Sequence, residues 1–345
     1  MPTKHNNKSS MPQEKKLLIV GNASSVHTNN LKSLVGEYFS QTEILDSRNF
    51  SLHSPFKLLK SILNAKKALK QFAPSFIILY QIDVAAFFLS VLNRKIPSLV
   101  VGIGSDVLTV ADKSYFNRFL VRYVIKKGKY FNAGSIAIKE KMQQLANRPI
   151  EVTFANLGTD DILSAKKQNI IFSNRLHKDL YNIDKIINAF ALFLRNSEYK
   201  DWKLVIAATG KENEYLKQAQ ELGIKDNVEC VGWLDKQKNA YYYSISKIWV
   251  SLAQSDSISI SLLEAMSAGC LPVCYDVPAL KGFLSNNQNS VIVNNFDEYF
   301  FERALTMIDE NIIAQNRRQA REFSDKDANR QRFYAIFNKE LMTKD

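Results

Sequence analysis

Residues 255–273 read SDSISISLLEAMSAGCLPV, and this stretch decides the fold of the second half of the chain. The apolar runs on either side, residues 247–253 (KIWVSLA) and 271–274 (LPVC), are typical of buried strands in a parallel sheet. The apolar residues between them predict a crossover helix that begins near Ser259 and stops at a glycine. Asp256 therefore lies at the carboxyl edge of a strand, where open α/β sheets bind ligands.

The start of this helix forms the first candidate site. Its free N–H groups and the positive end of its dipole suit a phosphate group. Glu264 lies about one and a half turns into the helix. Its carboxylate can reach back to a ligand, because helical side chains lean toward the helix N-terminus. The alternative is that Glu264 is a charge on a solvated helix face.

The block resembles the signature of the retaining nucleotide-sugar glycosyltransferases of family 4, also called group 1, which have the GT-B fold. Their pattern is an acidic residue, seven residues, and then Glu within LLEAM, before a strand with Pro-Val. Asp256 stands where the family usually has Glu, so its side chain is shorter by one methylene. The resemblance implies that Asp256 contacts the transferred sugar and that Glu264 binds the ribose. It also implies donor contacts from Ser257, Ile258 and Ser259.

Length and strand pattern predict the same architecture. A chain of 345 residues is long enough for two α/β domains. Apolar strands alternate with helices along the chain, and the alternation restarts at residue 169, which predicts two Rossmann-like, doubly wound parallel sheets facing a cleft. We expect a disordered leader at 1–15, an acceptor-binding domain at 16–158, a nucleotide-sugar-binding domain at 159–325 and a C-terminal helix at 326–345 that packs back on the first domain.

Further donor contacts are implied by the resemblance. The family places an Arg and then a Lys after the strand that here ends at Ser173, and Arg175 and Lys178 stand there. A departing nucleoside diphosphate develops negative charge, which cations and backbone amides can stabilise without a metal. Two later loops resemble donor loops of the family, although both could be plain turns. They contain Gly210, Trp233 and Leu234.

The first domain offers candidates for the acceptor site. The sequence GIGSD, residues 102–106, follows a strand and is expected to face the cleft through Ser105 and Asp106. Related enzymes often carry a His before this Gly-Ser-Asp, and Ile103 takes its place here. His27, at the end of the first loop, is then the candidate for contacting an acceptor hydroxyl. A loop histidine without a role is the alternative.

The positive charge of the chain lies in its first half. Residues 1–160 hold 22 Lys or Arg and 10 Asp or Glu, whereas residues 161–345 hold 24 of each, so the net charge of +12 belongs to the first half. Two helices interleave lysines or arginines with apolar residues, at 57–70 and 115–127, which favours an anionic membrane surface as a partner. A solvated helix face is the alternative. No nucleic-acid-binding motif accompanies the charge.

Several other classes are not supported by the sequence. Residues 1–16 lack the apolar segment of a signal peptide, and the longest apolar run, residues 84–92, is too short to span a membrane. The three cysteines have no histidine at ligand spacing and are expected to be reduced and to lie in or beside buried strands. We expect no metal site. Asp325 and Asp327 have the spacing of a metal-binding pair, but we interpret them as helix-start carboxylates.

The family resemblance implies a metal-independent, retaining glycosyltransferase with no cofactor. Its substrates would be a UDP- or GDP-sugar and a glycan or polyprenyl-linked acceptor. We expect a role in bacterial surface polysaccharide synthesis, in the cytoplasm or on the inner face of the plasma membrane. Two alternatives stay open: a nucleotide-sugar epimerase on the same fold, and a non-catalytic scaffold that kept the fold.

Overall fold

The computed structural model describes residues 14–294, 296 and 299–342. Within these residues, two six-stranded sheets form the centres of two α/β units, and every strand pair in them is parallel. The predicted doubly wound architecture is therefore confirmed. The leader predicted over residues 1–15 lies outside the described residues, apart from its last two.

The strands β1, β3 and β4 of the first sheet are short apolar runs that are buried on both faces, as expected for a parallel sheet covered by helices. Its strand order is 2-1-3-4-5-6 along the sheet. The strands are β1 (Lys16–Gly21), β2 (Gln41–Asp46), β3 (Phe76–Tyr80), β4 (Ser98–Gly102), β5 (Tyr130–Ala133) and β6 (Val152–Thr153).

Helices of the first unit follow the strands and cover both faces of the sheet. Ser25 and Asp83 cap two of them, because each side chain accepts a backbone N–H from the first turn. The helices are α1 (Val26–Val35), α2 (Pro55–Lys67), α3 (Val84–Leu92), α4 (Ser105–Leu108), α5 (Val110–Lys113), α6 (Tyr115–Lys127) and α7 (Ile136–Ala146). In the described part of the chain, no helix is both long and apolar enough to cross a membrane.

The second sheet repeats this plan with the order 12-11-10-7-8-9. Its strands are β7 (Gln168–Ser173), β8 (Lys203–Ala207), β9 (Val228–Gly232), β10 (Ser246–Ser251), β11 (Leu271–Tyr275) and β12 (Val291–Val293). Its helices are α8 (Ile183–Phe193), α9 (Glu212–Glu221), α10 (Lys236–Ile245), α11 (Ile260–Ser267), α12 (Phe300–Thr306) and α13 (Glu310–Ser324). Of the three cysteines, Cys270 and Cys274 are buried, Cys230 is half-buried, and all are free thiols.

A last helix, α14 (Lys326–Leu341), leaves the second unit and returns to the first. Asp325 caps it by accepting the N–H of Ala328, so the helix-start interpretation of this carboxylate is correct. Phe333 and Phe337 of α14 are buried in the same apolar cluster as β1, β3 and α1. The helix therefore covers one face of the first sheet.

Strand order also fixes where a ligand can bind. In the second sheet the chain runs outward from β7 to β9 and then crosses back to β10, so the order reverses between β7 and β10. The loops after these two strands diverge at that point and leave a crevice at the carboxyl edge of the sheet. In the first sheet the corresponding reversal lies between β1 and β3.

Candidate active site

An ion pair joins the two loops at this crevice. Arg175 follows β7 and Asp256 follows β10, and the Nη2 of Arg175 lies 2.7 Å from the Oδ2 of Asp256. The guanidinium also stacks over the ring of Tyr181, with its Cζ 4.5 Å from the ring centroid. Arg175 is only 8% exposed. The structure thus brings together two residues that lie 81 positions apart in the sequence.

Arg175 keeps unused hydrogen-bonding capacity. Its Nε is buried, and within the described residues it has no hydrogen-bond partner. Buried polar groups in folded proteins are almost always paired, so this orphaned guanidinium N–H suits an anionic ligand. Neither Arg175 nor Asp256 lines the cavity described below, whereas the neighbouring Asn174 does. Asp256 accepts the N–H of Ser257 at 2.9 Å. Burial raises the pKa of the Asp256 carboxyl, while the charge of Arg175 and this hydrogen bond act in the opposite direction.

His27 faces this ion pair from the first unit. It lies in the first turn of α1, directly after β1, and contributes to the wall of a cavity between the units. Its pKa is lowered, first because the surrounding protein withdraws it from bulk water and second because of the positive charge of Arg175; Asp256 opposes both. The imidazole is therefore neutral near pH 7 and can accept a hydrogen bond.

Glu264 lines the cavity, which has a volume of about 830 Å³. Burial raises the pKa of its carboxyl, and a hydrogen bond from Tyr243 opposes the rise. The solvated-face interpretation of Glu264 is therefore wrong, since its side chain lies inside the crevice. The other walls come from α1, α10, α14 and the segment that joins the units, including Asn30, Leu157, Thr159, Lys236, Tyr241, Lys326 and Arg330.

A buried polar network holds this part of the site, and sequence reasoning missed it. The Nδ2 of Asn174 donates to the hydroxyl of Tyr243 at 2.6 Å, and its Oδ1 accepts the indole N–H of Trp249 at 3.0 Å. Burial raises the pKa of the Tyr243 hydroxyl, and the nearby charge of Glu264 also contributes to this rise, so the network borders α11. The only signal in the sequence was the position of Asn174, directly before Arg175.

The N-terminus of α11 lies beside Asp256, as predicted. Ser259 caps the helix by accepting the N–H of Leu262 at 3.3 Å, and Ile258 precedes the cap. The first N–H groups of a helix have no partner inside the helix, so they remain available to a ligand. A Cβ placed on Gly104 of the first unit would lie 3.7 Å from the Cβ of Ser257. The two units therefore approach each other at this point.

Lys178 and Gly210 make no side-chain contact with the ion pair among the described residues. Lys178 is exposed, and the contacts found for it use its backbone. His177, which the sequence did not single out, is buried; its Nδ1 accepts the N–H of Lys211 at 3.1 Å and its Nε2 lies 3.0 Å from the carbonyl of Ala207. This histidine holds the turn at Gly210, whose φ of +132° favours glycine. The loops after β7 and β8 are thus tied together.

The loop after β9 does not contribute to the cavity the two residues that the sequence suggested. Trp233 is 69% exposed, and Leu234 is buried in the apolar core. Neither lines the cavity, whereas Lys236 and Gln237 from the next turn do. The side chains that border the cavity here therefore belong to the start of α10.

The GIGSD loop of the first unit needs a correction. Asp106 is only 2% exposed, and its carboxylate accepts the N–H groups of Ile82 at 3.0 Å and Gly104 at 2.8 Å. Because these bonds turn the carboxylate into the domain, Asp106 shapes the loop and does not face an acceptor. Ser105 is exposed at the start of α4 and remains next to the point of approach between the units.

Over residues 14–294, 296 and 299–342, no cluster of three or more His, Cys, Asp or Glu could hold a metal ion. Asp325 is engaged as a helix cap, and Asp327 pairs with Arg330 three positions later.

Comparisons with known proteins agree with this geometry. Residues 160–325 match the family model "Glycosyl transferases group 1". Alpha-monoglucosyldiacylglycerol synthase of Streptococcus pneumoniae is 29% identical over 106 residues, which are 30% of this chain and 24% of that protein. A GDP-mannose:cellobiosyl-diphosphopolyprenol alpha-mannosyltransferase of Xanthomonas oryzae is 28% identical over 96 residues, 27% of this chain and 25% of that protein. The matched segments thus span about a quarter of these relatives.

Solved structures resemble nearly the whole chain. Sucrose-phosphate synthase of Thermosynechococcus elongatus superposes with a TM-score of 0.75 at 12% identity, covering 96% of this chain and 100% of that one. HepE of Anabaena, solved in complex with UDP and glucose, gives a TM-score of 0.73 at 13% identity over 94% of this chain and 100% of that one. The chain therefore has the GT-B fold, and residues 160–325 carry the sequence pattern of the glycosyl transferases group 1 family.

Proposed function

We propose that this protein is a glycosyltransferase that moves a sugar from a nucleotide-sugar donor, a UDP- or GDP-sugar, to a glycan or polyprenyl-linked acceptor. The observation that carries the proposal is the buried Arg175, whose unpaired Nε and ion-paired Nη2 lie beside the N-terminus of α11. Two independent anion-binding features converge at one crevice between two Rossmann-like units. HepE, which shares the fold, binds UDP and glucose.

In this proposal the donor lies across the crevice of the second unit. Arg175 and the amides at Ile258 and Ser259 meet the diphosphate, and Lys178 can swing toward it from its exposed position. Glu264 accepts hydrogen bonds from the ribose hydroxyls inside the cavity, with its carboxylate held by Tyr243. The cations and amides neutralise the charge that develops on the leaving diphosphate, so no metal is required.

The transfer itself is proposed to retain the anomeric configuration. The acceptor oxygen attacks the anomeric carbon from the side on which the bond to the diphosphate breaks. The leaving phosphate oxygen takes the proton of the acceptor hydroxyl. Asp256 stabilises the positive charge that builds on the sugar, and the neutral His27 accepts a hydrogen bond from an acceptor hydroxyl across the cleft.

The acceptor half is proposed from the positive charge of the first unit and from the names of two relatives. The mannosyltransferase of Xanthomonas is named for a diphosphopolyprenol acceptor and the pneumococcal relative for a glycolipid product. We propose a lipid-linked or glycan acceptor of a bacterial surface polysaccharide, met on the inner face of the plasma membrane. An anionic membrane surface is then the natural partner of the +12 carried by residues 1–160.

A donor-turnover assay in excess EDTA tests the proposal. We expect hydrolysis or transfer of one UDP- or GDP-sugar to persist without added metal, because Arg175 and backbone amides carry the phosphate chemistry. Proton NMR of the first product should show the anomeric configuration of the donor. Activity that disappears in EDTA and returns with Mg²⁺ would rule out the metal-free site, and an inverted product would rule out retention.

Substitutions at the two carboxylates should have different effects on KM and kcat. Glu264→Gln keeps the size of the side chain but removes its charge, so we expect a higher KM for the donor with a nearly unchanged kcat. Asp256→Asn should mainly lower kcat, because its interaction strengthens as charge builds at the anomeric carbon. Steady-state kinetics of both variants provide the measurement. The opposite partition would show that the roles of the two residues are exchanged.

A further inference from the structure

The outer surface of α2 carries apolar side chains that the core does not use. Phe56, Leu59 and Leu63 are 89%, 57% and 55% exposed. They recur at positions i, i+3 and i+7, so they form one stripe along the helix. A different stripe, represented by Leu58 and Ile62, packs against the core of the first unit. The outer stripe is therefore available for a partner.

Helix α6 presents a second set of exposed rings. Tyr115, Phe116 and Phe119 are 94%, 53% and 56% exposed. The ring of Phe119 lies 6.0 Å from that of Phe87 on α3, the helix that also contacts α2. We call the surface formed by Phe56, Leu59, Leu63, Tyr115, Phe116 and Phe119 the α2–α6 face. Clusters of exposed aromatic and aliphatic side chains of this kind mark interaction sites.

Helices α2 and α6 contain lysines and arginines but no acidic residue. Residues 47–139 contain only three acidic residues, and none is an unpaired surface charge. Asp106 is buried, Asp83 caps α3, and Asp112 pairs with Arg118 and Lys141. The same stretch holds exposed lysines on α2 and at the end of α6, namely Lys57, Lys60, Lys66, Lys67, Lys126 and Lys127.

The topology places this face next to the cleft. Helix α2 begins after the carboxyl end of β2, and α6 begins after the carboxyl end of β4 and the short helices that follow it. In parallel α/β sheets the helices run back antiparallel to the strands, so their N-termini lie at the carboxyl edge. Phe56 and Tyr115, the two most exposed rings, stand at these N-termini. The apolar end of the face is thus the end nearer the crevice.

We propose that the α2–α6 face inserts its apolar side chains into an anionic bilayer and holds the cleft at the lipid surface. The lysines bind the anionic headgroups and the rings enter the boundary with the acyl chains, which gives the two signals that stable peripheral binding needs. This inference rests on the acceptor half of the proposed function, because a lipid-linked acceptor is confined to that surface. It assigns the membrane contact to named apolar residues as well as to the net charge.

The test separates insertion from electrostatic attraction. We compare the wild type with a Phe56→Ser/Leu59→Ser/Leu63→Ser variant on vesicles of phosphatidylcholine with and without phosphatidylglycerol. We expect wild-type protein to bind the anionic vesicles. The variant should bind them roughly tenfold or more weakly, because it lacks the three apolar side chains that the bilayer would bury. At about 1 M salt, where the Debye length is about 3 Å, only the wild type should keep measurable binding.

A matched control removes equally exposed apolar side chains elsewhere. The variant Leu222→Ser/Tyr299→Ser/Met342→Ser changes residues that are 42%, 66% and 57% exposed and lie outside the face. It should bind vesicles like the wild type. In a Phe56→Trp variant, brominated lipids should quench the fluorescence of the added tryptophan. They should not quench the fluorescence of Trp233 in the wild type, which is 69% exposed on the second unit.

The outcomes distinguish this inference from the proposed function. Equal vesicle binding by the wild type and the α2 variant would overturn the inference, and so would wild-type protein that ignores anionic vesicles at low salt. Donor hydrolysis in solution does not involve the face and should be unchanged in the α2 variant. Normal donor turnover without vesicle binding would therefore refute the membrane contact alone. Vesicle binding without donor turnover would refute the proposed glycosyltransferase activity.

Discussion

Arg175→Ala should lower donor turnover by roughly 100-fold or more, the scale observed when one preorganised donor to a developing negative charge is removed. The guanidinium is almost fully buried beside the N-terminus of α11, and its position is fixed by Asp256 and by the ring of Tyr181. Its interaction with the leaving diphosphate should be strongest in the transition state. We therefore expect kcat and kcat/KM to fall together, as measured by release of nucleoside diphosphate.

A control variant shows whether the effect depends on the position of this positive charge or follows from the loss of any positive charge. Lys185→Ala removes a half-exposed cation that pairs with its neighbour Asp184, and it should leave turnover within about twofold, because exposed pairs of this kind contribute little. Arg175→Lys keeps the charge but loses the planar fork, so we expect an intermediate loss. If Arg175→Ala lost less than threefold in turnover, with its circular dichroism spectrum intact, Arg175 would not bind the phosphate groups.

Apolar runs such as those of β3 and β10 are buried on both faces, and this is why the strands could be located from the sequence. Arg175 and Asp256 each follow one of two neighbouring strands, β7 and β10. Their contact follows from the order of strands in the sheet.

Other parts of the site depend on side-chain directions that no sequence pattern encodes. Asn174, Tyr243 and Trp249 come from three elements, and their network exists only once these elements are packed. The same limit explains the error at Asp106. A carboxylate in a loop after a strand can face the cleft or turn inward to satisfy backbone N–H groups, and here the unpaired amides of Ile82 and Gly104 attract it.

The packing of α14 is a long-range contact of the same kind. Phe337 is fully buried, and its ring centroid lies 5.1 Å from that of Phe76 in β3, 5.0 Å from that of Phe39 and 5.1 Å from that of Tyr38. The sequence analysis expected this helix and its return to the first unit, but not the aromatic partners of Phe337, which come from distant elements. Aromatic clusters of this size bury large apolar areas and contribute further through their edge-to-face geometry.

Phe337→Ala should therefore lower the free energy of unfolding of the first unit by about 3–5 kcal/mol, the usual cost of deleting a buried phenyl ring. Urea unfolding followed by circular dichroism provides the measurement. If the two units unfold separately, the transition of the first should shift and that of the second should not. Met342→Ala, at an exposed position one turn beyond, serves as the control and should change stability by less than about 0.5 kcal/mol.

The same variant also separates stability from donor binding. Arg175, Glu264 and the N-terminus of α11 all belong to the second unit, so Phe337→Ala should bind a nucleoside diphosphate with nearly the affinity of the wild type while the first unit is destabilised. If the free energy of unfolding fell by less than about 1 kcal/mol, α14 would not be an integral part of the first core. If donor affinity fell with stability, the two units would have to act as one cooperative structure, joined through α14 and the ion pairs of Asp160 with Lys236 and Lys326.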